Sequence, residues 1–219
     1  MFTFTKRRGF LRILLTVGVL VGVAGAAEAG PPLICQPFDA GNAALLPWST
    51  GQGWNTPDRS YDVQRLTADT LRLLSREMPV LARMENLRRA TIYAAQDKRV
   101  AAELLAAVLG QALAAAAKEP GDPLAWFDAG YLVESYRQAS HIYKWDMLSG
   151  RERAAWNLRS EPGLDGYGFM RKALALAGTH PEMEFAASLM KEGPVSAEHR
   201  RRALTGAPAG SLLAKNLAK

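Results

Sequence analysis

The chain has 219 residues, of which 48% are apolar and 22% are charged, a composition typical of a globular protein. This length is enough for one domain with a core, and two domains are not required. The formal net charge is +6, but the first 29 residues hold four basic side chains against one acidic side chain. The remainder carries 23 basic and 20 acidic residues. That excess is too small to predict a nucleic-acid partner.

The first 29 residues have the three parts of an export signal. Lys6-Arg7-Arg8 is the basic start, Leu11–Val23 is the apolar stretch, and Ala27-Glu28-Ala29 is the cleavage site. We expect cleavage near Ala29, a periplasmic or secreted product, and membrane contact only in transit through the signal peptide. The stretch from Arg7 to Arg12 resembles a twin-arginine signal, with Lys6 where that motif prefers a small polar residue. Twin-arginine and general secretory export both stay open.

Residues 30–61 predict an irregular arm that lies against the helices. The segment is rich in proline and glycine, which break helices, but it also has Phe38, Trp48 and Trp54, which disordered segments usually lack. Its single cysteine, Cys35, excludes an internal disulfide and leaves a semi-buried thiol, an intermolecular disulfide or a reactive thiol. Cys35–Gly41 followed by Leu46-Pro47-Trp48 resembles the start of uncharacterised exported bacterial helical proteins, a resemblance that implies no activity.

Residues 62–205 predict an all-helical domain, and no segment has the alternating pattern of a strand. Apolar residues at helical spacing, with caps and Pro/Gly breaks, predict helices at these places: Asp62–Arg76, Pro79–Gln96, Lys98–Lys118, Asp122–Trp145, after the capping box Ser149–Glu152, Met170–Ala177, after the capping box Thr179–Glu182, and from Ser196. The fold class is therefore all-α, an irregular helical bundle or a repeat-like array of helical hairpins. Residues 206–219 predict a flexible basic tail.

The helix over Asp122–Trp145 is the strongest signal and should lie at the centre of the domain. Asp122 and Pro123 suit a helix start. A helical projection gives two apolar faces, which predicts burial on both sides. One face carries, in order, Phe127, Tyr131, Glu134, Gln138, His141 and Trp145.

Glu134, Gln138 and His141 on this face are the best catalytic candidates. Successive members are four and three residues apart, so neighbours on the helix can touch. An aromatic surround could raise the pKa of Glu134, which could then act as an acid or base towards His141. Phe127, Tyr131, Gln138 and Trp145 are the candidate ligand-binding residues. The alternative is a satisfied polar network between helices.

No motif predicts a metal or another cofactor. The three histidines, His141, His180 and His199, have no mutual helix spacing, although His180 and Glu184 are four residues apart. The serine-hydrolase elbow is absent from the sequence. Arg200–Arg202 predicts a solvated helix end or a contact with an anionic surface.

Trp126 and Gly130, with the spacing between them, resemble the first helix of a tetratricopeptide repeat, whereas Ile142 and Asp146 depart from that motif. Such helical arrays present concave binding faces. We therefore expect an exported, non-enzymatic binding or scaffolding module for a protein, a peptide or an envelope component. The alternative is an all-α exported hydrolase or lyase that uses Glu134 and His141.

Overall fold

The computed structural model describes residues 32–51, 53–118, 121–144, 147–148 and 164–219. Within these ranges the fold is all-α, which confirms the predicted class. The described helices are α1 (Pro32–Cys35), α2 (Leu66–Leu73), α3 (Val80–Ala94), α4 (Lys98–Ala116), α5 (Pro123–Tyr143), α6 (Gly166–Ala177), α7 (Pro181–Ser188), α8 (Gly193–Gly206) and α9 (Leu212–Leu217). A 3-10 turn, Val63–Arg65, leads into α2.

Acidic residues cap several helices where the sequence predicts a start. Asp97 accepts hydrogen bonds from two backbone amides of α4, and Asp122 accepts one from Leu124 at the start of α5. Each bond satisfies an amide that has no partner inside the helix. The capping box Ser149–Glu152, with the helix predicted after it, lies outside the described residues.

Helix α5 lies at the centre of the fold and packs against α3, α4 and α6. Tyr131 is fully buried on one of its predicted apolar faces, and Leu132 and Tyr136 are fully buried on the other. The Tyr136 hydroxyl also donates to the Ala101 carbonyl of α4 at 3.1 Å. The predicted burial of α5 on both sides is therefore confirmed.

Helices α5 and α6 cross with their backbones in contact, at Gly130 and Gly166. A Cβ atom built on Gly130 would lie 2.7 Å from the Gly166 carbonyl oxygen and 2.9 Å from the Met170 amide nitrogen. Only glycine leaves room for this approach. The close crossing brings the start of α6 next to the middle of α5.

Helix α3 is buried on almost every side, although it carries several charged residues. The Glu85 carboxylate accepts hydrogen bonds from Arg88 and Arg89. Burial alone would raise the pKa of Glu85, but the hydrogen bonds and charges of these two guanidinium groups lower it. The charges of α3 are thus compensated inside the protein, as buried charges must be.

A second buried pair joins α3 to α5, through Arg83 and Asp128. Arg83 Nη1 donates to Asp128 Oδ2 at 2.5 Å, and both side chains are almost fully buried. Desolvation raises the pKa of Asp128 to about 7, against the attraction of Arg83. Asp128 Oδ1 has no hydrogen-bond partner in the described part of the chain. Desolvation therefore opposes the charged form of this buried pair.

The N-terminal arm is ordered because polar side chains of α3 bind its backbone. Asn86 accepts from the Leu46 amide at 2.8 Å, and Arg89 donates to the Leu46 carbonyl at 2.6 Å. Arg88 donates to the carbonyls of Ile34 and Trp54. The arm, like an extended peptide ligand, has its backbone groups satisfied by the surface it covers.

The C-terminal segment differs from the predicted flexible tail over 206–219, because it includes helix α9. Leu213 and Leu217 of α9 are buried, and Ser211 caps its first turn. Asn216 accepts from the Asp39 amide at 2.8 Å and donates to the Asp39 carbonyl at 2.9 Å. The burial of Leu213 and Leu217, together with this contact with the arm, fixes the position of the C-terminal segment.

Helix α4 is long and apolar enough to cross a membrane by length and composition alone, a test that buried core helices also pass. Here Val100, Leu104 and Val108 are buried. Leu113 near its end is 51% exposed.

Candidate functional site

The structure places Glu134 between α5 and α6, where it is 4% exposed. Its Oε1 atom accepts from Arg137 Nη1 at 2.5 Å and from the Tyr167 backbone amide at 3.0 Å. Arg137 also donates to the Leu164 carbonyl at 2.5 Å. Glu134 therefore satisfies one of the free amides at the N-terminus of α6 and fixes where that helix begins.

The three residues predicted as a catalytic cluster do not meet in one pocket. His141 is exposed and stands two helical turns from Glu134, roughly 10.5 Å along the axis. Gln138, which lies between them, accepts from the Leu33 amide at 2.9 Å and donates to the Leu189 carbonyl at 3.2 Å. Gln138 thus joins the arm to the segment after α7 instead of linking Glu134 to His141.

The predicted ligand-binding aromatics of α5 offer no open surface. Phe127 and Tyr131 are fully buried, and their rings stack on each other with centroids 5.8 Å apart. Trp145, the last of these candidates, lies outside the described residues.

An open groove lies between α6 and α8, and α7 contributes to it. Its volume is about 1230 Å³. Apolar side chains line part of it, among them Leu174 of α6, Pro181 of α7 and Val195 of α8. Val195 is 46% exposed, which is high for a branched aliphatic side chain. The groove can therefore take up apolar groups from a ligand.

A hydrogen-bonded chain of three side chains, one from each helix, crosses the groove. The Tyr167 hydroxyl lies 2.8 Å from His199 Nε2. His199 Nδ1 in turn bonds Glu184 Oε2. His199 and Glu184 are each 8% exposed, and the Tyr167 ring meets the imidazole edge-on. We call Tyr167, His199 and Glu184 the polar chain.

The hydrogen bonds of the polar chain determine which nitrogen of the His199 imidazole is the donor to Glu184. The Glu184 carboxylate accepts a hydrogen bond, so the Nδ1 atom of His199 is the donor. If Nε2 is unprotonated it accepts from the Tyr167 hydroxyl; if it is protonated it donates to that hydroxyl. A carboxylate that orients an imidazole beside a hydroxyl group is also the arrangement that general acid–base catalysis uses.

Two cations flank the Tyr167 ring. Lys191 Nζ lies 4.8 Å from the ring centroid, and Arg171 Cζ lies 5.7 Å from it. In the described part of the chain, neither cation has a carboxylate within ion-pair distance. Both are therefore available to an anionic group of a ligand.

The charges on the α8 side of the groove are largely compensated. Arg201 and Arg202 donate to Glu198, and these hydrogen bonds lower the pKa of Glu198 to about 2. Arg202 also lies 3.5 Å from Glu184 Oε1. The uncompensated positive charge of the groove therefore lies around Tyr167.

The local sequence explains how Tyr167 is held at the groove. Asp165 accepts from the Gly168 amide at 2.8 Å, which caps α6, and Glu134 accepts from the Tyr167 amide itself. Gly130 and Gly166 permit the contact between the two helices. Glu134, predicted as a catalytic group, thus acts on this groove by positioning the backbone of Tyr167.

The spacing of His180 and Glu184 places them four residues apart on one helix, whereas the Glu184 carboxylate is bonded to His199. Tyr167 lies 32 positions and Glu184 15 positions from His199, so no local pattern joins the three. The one available signal was His199 between Glu198 and Arg200 on a helix, which predicts a surface position. Its burial follows from the packing of α7 against α8.

Comparison of the chain with protein-family models, with curated proteins and with solved structures found no match. Among the described residues, no group of three or more His, Cys, Asp or Glu side chains could hold a metal ion.

Proposed function

We propose that this chain is an exported, non-enzymatic binding module whose partner docks in the groove between α6 and α8. The partner is a protein or peptide segment that carries both apolar and acidic side chains. The observation that carries the proposal is the groove itself, in which exposed apolar walls adjoin Tyr167 and the two cations over its ring. Neither Arg171 nor Lys191 has a carboxylate partner among the residues that the structure describes. The export signal predicted from residues 1–29 favours a site of action outside the cytoplasm.

The chemistry of the ligand follows from the two parts of the groove. Leu174, Pro181 and Val195 favour apolar side chains, because their burial removes apolar surface from water. Arg171 and Lys191 favour acidic side chains and would speed the encounter with a negatively charged segment. The α6 residues that line the groove run from Tyr167 to Ala175, roughly 12 Å along the helix axis. A helical segment of about two turns spans that distance.

A selection of displayed 12-residue peptides on the purified protein tests the proposal. We expect enrichment of sequences with acidic and apolar residues, and affinity that falls as salt is raised. The Arg171→Glu variant should bind the selected peptides about tenfold more weakly. Arg72→Glu, an equal charge change at an exposed position of α2, is the control. Equal binding by Arg171→Glu and the wild type would refute docking at this groove.

The second candidate function is an exported hydrolase or lyase. The sequence predicts Glu134 and His141 as its catalytic pair, but these two residues lie apart. The polar chain offers a different set of acid and base groups. His199, oriented by Glu184, could act as the base and Tyr167 as the acid. A panel of chromogenic esters and glycosides would test this function. Turnover lost in His199→Gln would favour it, and the absence of turnover across the panel would count against it.

A further inference from the structure

A second open cavity lies between the last part of the arm and the ends of α3 and α5. Its volume is about 630 Å³, and small-molecule sites in proteins occupy about 300–1000 Å³. Of the eight described residues that line it, one is charged, Arg59, and five carry a hydroxyl or an amide group: Ser49, Asn55, Thr56, Gln96 and Tyr143. The cavity is therefore polar but nearly uncharged, unlike the groove.

Hydrogen bonds hold the loop that forms one wall of this cavity. The Tyr93 hydroxyl of α3 donates to the Pro47 carbonyl at 2.7 Å and accepts from the Asp58 amide at 2.9 Å. One side chain thus fixes both ends of the loop. Between them the Ser49 amide donates to the Thr56 carbonyl at 3.3 Å. Compact loops with adjacent ends are frequently functional, and a wall that is ordered in advance lowers the entropic cost of binding.

Some polar groups of the cavity are free to bind a ligand. Gln96 is exposed, and its side-chain amide has no hydrogen-bond partner in the described part of the chain. The Tyr143 hydroxyl donates to Asn55 Oδ1 at 3.2 Å, which leaves the Asn55 amide nitrogen as a donor and the phenol oxygen as an acceptor. Burial raises the pKa of Tyr143 to about 12, so this hydroxyl stays protonated at neutral pH.

These groups match the hydroxyl groups of a sugar. A hydroxyl group both donates and accepts hydrogen bonds, and an amide side chain can meet both demands. A peptide would gain less here, because the aliphatic lining is limited to Pro57 and to Ile92, which is 1% exposed. An ionised ligand would gain little, because Arg59 is exposed and exposed charge pairs contribute weakly.

We propose that this cavity binds a neutral saccharide, with the side chains of Gln96 and Asn55 bonded to its hydroxyl groups and Tyr143 beside them. The site shares no lining residue with the groove, so it is independent of the proposed docking function. A chain exported as its first 29 residues predict would meet the polysaccharides of the envelope. The saccharide is thus a second ligand, bound on another part of the surface.

An array of immobilised tetrasaccharides tests the site with the purified protein. The probes are tetrasaccharides of glucose, N-acetylglucosamine, mannose, galactose and galacturonate, and we expect binding to at least one of the four neutral ones. Titration with the soluble form of that probe then compares variants. Gln96→Ala should bind about threefold to tenfold more weakly, the effect of one lost hydrogen bond, and its thermal unfolding should match that of the wild type. Gln111→Ala removes another exposed amide, on α4 and away from the cavity, and should bind like the wild type.

Three results would overturn the assignment. The first is the absence of binding to all four neutral probes, and the second is equal binding by Gln96→Ala and Gln111→Ala. The third is binding of galacturonate alone, lost in Arg59→Gln, which would make this an anion site. None of these results bears on the groove, whose own test is the effect of Arg171→Glu on peptide binding.

Discussion

At the scale of single residues, Glu134 shows how a side chain can shape a site without lining it. It is sealed between two helices, bonded to Arg137 and to the backbone of Tyr167. A carboxylate with these partners stabilises the start of α6. His141, two helical turns away, is exposed and lies outside this contact between α5 and α6. The two residues therefore differ in what their replacement should do.

We predict that Glu134→Gln lowers the free energy of unfolding by about 1–3 kcal/mol, because charge-assisted bonds to Arg137 and to the Tyr167 amide are lost or weakened. Urea unfolding followed by circular dichroism measures this change. His141→Ala, on the same helix but exposed, should change stability by less than about 0.5 kcal/mol. A Glu134→Gln protein as stable as the wild type would contradict the anchoring role.

Asp128 predicts a dependence of stability on pH. Its pKa is raised to about 7 in the folded protein from an ordinary value of 3.8, so the folded state binds more protons between these values. Its contribution to stability is therefore present at low pH and is lost as the pH rises through the window, by at most about 1.4 kcal/mol per pH unit.

Unfolding of the wild type and of Asp128→Asn at pH 5 and pH 8 isolates this contribution. The neutral Asn cannot titrate, so the variant should gain stability relative to the wild type between pH 5 and pH 8. A difference that stays constant would show that Asp128 keeps its charge throughout that range.

At the scale of helices, the sequence predicted the elements well because their signals are local. Asp97 and Asp122 cap helices where expected, and the spacing of apolar residues identifies α3, α4 and α5. The burial of charges on α3 was not predictable, because it depends on distant elements. Arg83 is paired with Asp128 of α5, and Arg88, besides its bond to Glu85 in the same helix, donates to the Ile34 carbonyl. The polar chain was not predictable for the same reason. Its three residues belong to three helices, and only the packing of those helices brings them together.

The crossing of α5 with α6 depends on two glycines, and Gly130→Ala tests it. Alanine is favoured over glycine in a helix by about 1 kcal/mol, so a free position would gain stability. Here the added methyl group would meet the backbone of α6, and we expect a net loss of about 1–3 kcal/mol or more. Thermal unfolding measures the change. A more stable variant would show that α6 can move away without cost.

At the scale of the whole molecule, the arm holds distant parts of the chain together. It lies against α3, reaches α5 through Gln138, and meets α9 at Asn216. The arm thus covers part of the helical surface that would otherwise face solvent. The groove between α6 and α8 lies outside these contacts of the arm.

Asn216→Ala should release the arm from α9, because the Asp39 amide and carbonyl both lose their partner. We expect a loss of about 1–3 kcal/mol. Limited proteolysis should cut within the arm faster than in the wild type. Lys215→Ala, an exposed neighbour in the same helix, serves as the control. Equal cleavage rates for the two variants would show that the contact between Asp39 and Asn216 does not hold the arm in place.

The contact between Asp39 and Asn216 also bears on the order of events during folding, since it joins positions 177 residues apart. Asp39 is synthesised 177 residues before Asn216, so the contact can form only after the whole segment between them has been made. Contacts so distant in sequence form late, because a long loop must close before they gain anything. Until then the Asp39 amide and carbonyl lack the side chain that joins this part of the arm to α9.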